Sequence, residues 1–211
     1  MFDSGIGGKS VANAIQKACP NDEIIFVNDA KNVPYGSKTL EELWQLVAPI
    51  MDDLAHTADV IVVACNTVTT LLMDRLRENF EVPFVGIEPM IKPAARQTKS
   101  KAIIVCATPA TLSSKRYRSL VDEYANGVTV AEPDCSRWAY CIERNNITKH
   151  MIKESLEPDL RQGADVVVLA CTHYHWIEAE ITELAHQYEA VVMQPEKAII
   201  KQVKTVLERL A

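Results

Sequence analysis

Short runs rich in valine and isoleucine recur along the chain with little polar alternation inside them. They are EIIFVND (23–29), VIVVAC (60–65), PFVGI (83–87), AIIVCA (102–107), VTVAE (128–132), VVVLAC (166–171) and AVVMQP (190–195). Runs without alternation predict strands covered on both faces of a parallel sheet. Between them, apolar residues return at helical spacing over 9–18, 39–55, 67–79, 113–124, 147–162, 176–187 and 196–210. This alternation predicts an α/β fold. Another strand is expected before the glycine-rich FDSGIGG (2–8), but little chain remains for it. Either that strand is a stub, or the natural chain begins a few residues earlier.

The rhythm restarts halfway. ADVIVVAC (58–65) returns as ADVVVLAC (164–171), 106 positions later. Proline-containing joins at 87–89 and 92–93 fall between the two. Two similar lobes are therefore expected, pseudo-two-fold related, each a mostly parallel sheet flanked by helices. The first takes 1–94 plus 190–211 and the second 95–189. The last helix carries Ile199, Val203 and Leu207 on one stripe and should pack on the first lobe.

Composition narrows the partners. Of 211 residues, 48% are hydrophobic, enough for a sizeable core, and the net charge is −6. That charge argues against nucleic acid or acidic membrane as partners. No apolar run is long enough to span a bilayer, and MFDSGIGG has no signal-peptide pattern, so a cytoplasmic protein is expected. Its six cysteines are then thiols. No CxxC pair or zinc-ligand spacing occurs, and no metal is expected; Cys171, His173 and His175 lack a fourth ligand.

Both octapeptides end in cysteine at the carboxyl end of a strand, where ligands of open α/β sheets bind. A helix follows each, and a helix N-terminus favours thiolate. Free cysteines are usually small buried hydrophobes, yet these two are followed by the hydrogen-bonding pairs Asn66-Thr67 and Thr172-His173. Facing lobes would set the two thiols on opposite sides of one cleft. One as thiolate and one as thiol could invert a stereocentre without metal or organic cofactor. The glycine-rich turn at 2–8 could offer N–H groups to a carboxylate, or be an ordinary turn.

FDSGIGG, PYG (34–36), ACNT (64–67) and ACTHY (170–174) resemble, in order and spacing, the motifs of glutamate racemases in the cofactor-independent aspartate/glutamate racemase superfamily. GIEPMIKPA (86–94) and ATPATLSSKRY (107–117) are similar to further segments of that family. The resemblance implies racemisation of glutamate, supplying D-glutamate for peptidoglycan, with no cofactor and a small amino-acid substrate. A homodimer is a family-level expectation. It implies that Cys65 acts on the D-enantiomer and Cys171 on the L-enantiomer, with Asp3 assisting the first and His173 the second. Asp3, Ser4, Tyr35, Gly36, Asn66, Thr67, Thr172 and His173 would hold the substrate, with Thr108 and Thr111 adding contacts. Glu143, closing CSRWAYCIE (135–143), matches the family's further functional acid.

Some positions depart from the pattern. Ser136 and Tyr140 stand where the family carries prolines, His175 replaces the proline after ACTHY, and Asn32 occupies a usual arginine position. Racemisation of aspartate or another amino acid, or a non-catalytic carboxylate-binding relative, are the alternative readings. A thiol hydrolase leaves the duplication without a reason.

Overall fold

The computed structural model describes residues 1–210. It contains two four-stranded sheets, both parallel throughout. The first comprises β1 (Phe2–Asp3), β2 (Val27–Asn28), β3 (Ile61–Val63) and β4 (Phe84–Gly86), in the order β2-β1-β3-β4. The second comprises β5 (Ala102–Ala107), β6 (Thr129–Ala131), β7 (Val166–Ala170) and β8 (Val191–Met193), in the order β6-β5-β7-β8. The same strand order appears twice, as the repeated octapeptide implies.

Helices α1 (Gly8–Ala18), α2 (Leu40–Ala55) and α3 (Asn66–Asn79) connect the first sheet. Helices α4 (Ile91–Gln97), α5 (Pro109–Ser113), α6 (Lys115–Tyr124), α7 (Trp138–Glu143), α8 (Lys149–Arg161) and α9 (Glu178–His186) belong with the second, and α10 (Glu196–Leu210) closes the chain. Each sheet is covered on both faces. Ile61 and Val63 face Leu43, Val47 and Leu72, whereas Val62 faces Val11, Ile199 and Val203. In the second sheet Ile103 and Val105 meet Ile91 and Tyr117, whereas Ile104 meets Trp138 and Leu156. Successive strand side chains point to opposite faces, so two covers require unbroken apolar runs.

Several elements differ from expectation. Only Val27–Asn28 of the 23–29 run is strand, because β1 offers just Phe2 and Asp3 as ladder partners. β5 and β7, by contrast, pair over five residues. The expected helix over 113–124 is α6, which starts two residues later because the Ser114 side chain caps it by accepting from the Tyr117 N–H; a short helix not expected from the sequence, α5, precedes it. The stretch after Cys171 is a 3-10 turn, Thr172–Ile177, before α9 begins. Helices α4 and α7 were not anticipated. The strand at 191–193, placed with the first lobe by a boundary at 190, pairs with β7 in the second sheet. Helix α10 packs on the first lobe through Ile199 and Val203. We propose that the chain crosses back to the first lobe just after Met193.

Candidate active site

The two cysteines stand at equivalent places. Cys65 follows β3 and precedes the first turn of α3; Cys171 follows β7 and precedes the 3-10 turn. Both are buried, at 5% and 7% exposure. They nevertheless line one cavity of about 190 Å³ between the lobes. Ser4, Tyr35, Gly36, Asn66 and Thr67 line it from the first lobe, and Thr108, Ser136, Ala139, Thr172 and His173 from the second. No lysine or arginine is among the lining residues. A second cavity of about 240 Å³, beside Met1, Ile24 and Val60, contains neither thiol.

Behind Cys171 runs a line of proton-carrying groups. Its Sγ lies 3.8 Å from His173 Nδ1, and His173 Nε2 lies 2.7 Å from Glu143 Oε1. Burial pulls the imidazole down, but its bonds to Cys171 and Glu143, with the charges of Cys171 and Asp3, outweigh it and raise His173 to about 10. His173 is thus an imidazolium at neutral pH. Its hydrogen bond holds the Glu143 carboxyl below the ordinary range, against burial and with help from the Ile6 N–H, which donates to Oε1 at 3.1 Å. Gly5 makes this pair possible: a Cβ there would overlap Glu143 Oε1 and lie 2.6 Å from His173 Nε2.

Cys65 has a different environment. Burial pushes its thiol up to about 12, the Asp3 charge adds to this, and bonds with Ser4 and the Val68 N–H oppose it. Asp3 is wholly buried behind the cavity wall. Its Oδ2 accepts from the N–H of Gly8 at 2.8 Å and of Gly5 at 3.2 Å, while Thr172 Oγ1 donates to Oδ1 at 3.1 Å. Burial raises its pKa, against the charge of His173 and these three donors. Asp3 therefore joins the two lobes through Thr172 and closes the N-terminus of α1.

A second seam is made of hydroxyls. Thr67 Oγ1 lies 2.9 Å from Thr108 Oγ1 and 3.4 Å from Thr111 Oγ1, and Thr108 donates to Thr111 at 3.0 Å. A Cβ on Gly36 would come within 2.7 Å of Thr108, so the lobes touch backbone to side chain there. Asn66 donates to the Ile87 carbonyl at 2.9 Å, which fixes its amide at the cavity edge.

The sequence-derived residues thus gather at one place, in two ranks. Cys65, Cys171, Ser4, Tyr35, Gly36, Asn66, Thr67, Thr108, Thr172 and His173 reach the cavity wall, whereas Asp3, Glu143 and Thr111 stand behind it. Sequence reasoning missed Asp29, which accepts from Tyr35 Oη at 2.6 Å and from Asn32 Nδ2 at 2.8 Å. The acidic residue ending an apolar run was its one available signal. It also missed Ala139 on the wall and Gly5 beneath the His173–Glu143 pair. His175 keeps a buried Nε2 without a partner; burial, then the His173 charge, lower it to about 4, so it is neutral. Among the described residues no cluster of three His, Cys, Asp or Glu is arranged to hold a metal.

Comparison with known proteins gives the chain a family. The model of the Asp/Glu/Hydantoin racemase family matches residues 8–203. Glutamate racemase from Herpetosiphon aurantiacus is 39% identical over 190 residues, covering 88% of this chain and 75% of that protein. Glutamate racemase from Ectopseudomonas mendocina is 38% identical, covering 84% and 70%. The Escherichia coli glutamate racemase, solved with L-glutamate and the activator UDP-MurNAc-ala, superposes with a TM-score of 0.87 at 28% identity, over 98% of this chain and 80% of that one. This chain belongs to the Asp/Glu/Hydantoin racemase family, among its glutamate racemases, and is an amino-acid isomerase.

Proposed function

We propose that the chain interconverts L- and D-glutamate by passing protons between Cys65, Cys171 and the two faces of Cα. The observation that carries this reading is the presence of both sulfurs on the wall of one interlobe cavity. In the L-to-D direction, Cys171 as thiolate takes the Cα proton. The electron pair moves into the α-carboxylate, and Cys65 delivers its proton to the opposite face. The reverse direction exchanges the roles.

The environments suit these starting states. A thiol pushed to about 12 is protonated at rest and ready to donate. The His173 imidazolium stands 3.8 Å from the other sulfur, close enough to share a proton with it. With no lysine or arginine on the wall, carboxylates are held by hydroxyls, by N–H groups of the first turn of α3, and by the His173 charge. The substrate's own α-ammonium supplies the further positive charge that lets Cys65 ionise in the reverse direction. D-Glutamate made this way serves peptidoglycan synthesis. No helix of the described residues is long and apolar enough to cross a membrane. A mechanism needing two free thiols fits a reducing compartment, and we place the protein in the cytoplasm on that ground.

Incubation with each enantiomer in heavy water tests the reading. The wild type should replace the Cα hydrogen by deuterium and interconvert the enantiomers, and Cys65→Ser and Cys171→Ser should each abolish interconversion. A folded wild type that exchanges neither enantiomer defeats the proposal. Exchange with aspartate alone would move the activity to the shorter acid.

A further inference from the structure

Away from the cavity, an ion pair joins the lobes. Glu88 follows β4 in the first lobe, and Arg116 lies on α6 in the second. Arg116 Nε donates to Glu88 Oε1 at 2.6 Å and its terminal nitrogen to Oε2 at 3.0 Å, a two-pronged pair that fixes orientation as well as distance. Asp74, on α3 of the first lobe, adds to the field around the guanidinium.

The position of this pair in the backbone gives it consequence. The residue before Glu88 is Ile87, whose carbonyl holds the Asn66 amide. Asn66 is the neighbour of Cys65 and opens α3. On the other side, α6 continues directly from α5 and Ser114, the stretch that carries Thr108 and Thr111 to the hydroxyl seam. The pair therefore ties the support of Cys65 to the second lobe, where Cys171 sits. We infer that Arg116 and Glu88 are positioning residues for racemisation: they clasp the lobes so that the two sulfurs keep their working separation. The inference rests on the two-thiol reading.

The side chains are 47% and 39% exposed, so the pair contributes little to folding, as exposed ion pairs generally do. Its effect should fall on geometry instead, where small displacements of reacting groups cost large factors in rate. Arg116→Gln and Glu88→Gln should each lower kcat about tenfold. The fall should be equal from L- and D-glutamate, with KM changed less than about threefold and the thermal midpoint within about 2 °C. The exchange variant Glu88→Arg/Arg116→Glu should recover most of the lost kcat. Amide hydrogen exchange gives a readout that needs no activity. The segment 64–71 should exchange faster in either single variant and return towards the wild-type rate in the exchange variant. Wild-type kcat and unchanged exchange in both single variants would overturn the clasp. So would single-variant losses that the charge exchange fails to repair. A wild type inactive on glutamate would count against the racemase reading alone, and the hydrogen-exchange comparison would still decide the clasp.

Discussion

Replacing Glu143 by glutamine removes one charge and almost no volume from the line behind Cys171. The Glu143–His173 contact is 2.7 Å long, with the two side chains 14% and 3% exposed. A hydrogen bond to a charged group in such a place is worth about 1.5–3 kcal/mol. Divided by about 1.4 kcal/mol per pKa unit, that lowers His173 by about one to two units from its value of about 10. NMR titration of the His173 ring between pH 6 and 11 measures this directly. The kinetic consequence has a firm constraint. Enantiomers are equal in free energy in water, so kcat/KM must fall by the same factor in both directions. The full loss of the contact sets that factor at roughly 10 to 150. Asymmetry should appear only in the isotope effect. Cα-deuterated L-glutamate, whose proton goes to Cys171, should show the larger increase. Stability carries the same signature. A folded-state value of about 10 against 6.5 in the unfolded chain gives stabilisation fully present below 6.5 and lost as the pH rises through 10. In Glu143→Gln that loss should finish one to two pH units earlier. An unchanged His173 titration, or unchanged kcat/KM, would refute the reasoning.

Gly5→Ala should break the same His173–Glu143 bond by overlap; pH-rate profiles should then resemble those of Glu143→Gln, and wild-type profiles would contradict the close approach. Thr67→Val should cost about 1 kcal/mol in urea unfolding, because the Thr108–Thr111 bond survives and only the cross-lobe bonds are lost; Thr67→Ser should unfold like the wild type. Trp138→Ala empties a fully buried site packed edge-on against Tyr174 at 5.2 Å, and should cost about 3–5 kcal/mol by the same assay. Alkylation of Cys65 in the ligand-free protein, followed by peptide mass mapping, should accelerate about tenfold per pH unit from 8 to 10, since a thiol pushed to about 12 is far from ionised there; a plateau below pH 10 would show the sulfur to be more acidic.

The parts of the molecule written in local pattern were readable. Val60–Cys65 and Val166–Cys171 announce doubly covered strands, and a cysteine at the end of such a strand lands where ligands bind. The expected helix over 39–55 is α2, which a capping box of Thr39 and Glu42 opens. What was not legible depends on chain segments distant in sequence. The shortness of β2 follows from β1, not from its own apolar run. Glu143 reads equally as a solvated helix residue until His173, 30 positions away, supplies its partner. Gly5 looks like turn chemistry, yet its missing side chain makes room for that pair. Arg116 and Glu88 are 28 positions apart, with no periodicity to connect them.

The hydroxyl seam formed by Thr67, Thr108 and Thr111 bears on how the two lobes are aligned. Each of these bonds is between neutral groups and adds little to the hold between the lobes, which Asp3–Thr172, Ile6–Glu143 and Glu88–Arg116 also supply. What the seam adds is register: Thr67 meets two partners at once, and a small slip of one lobe would lose both. Because Thr67 stands two positions after Cys65, that register reaches the sulfur itself.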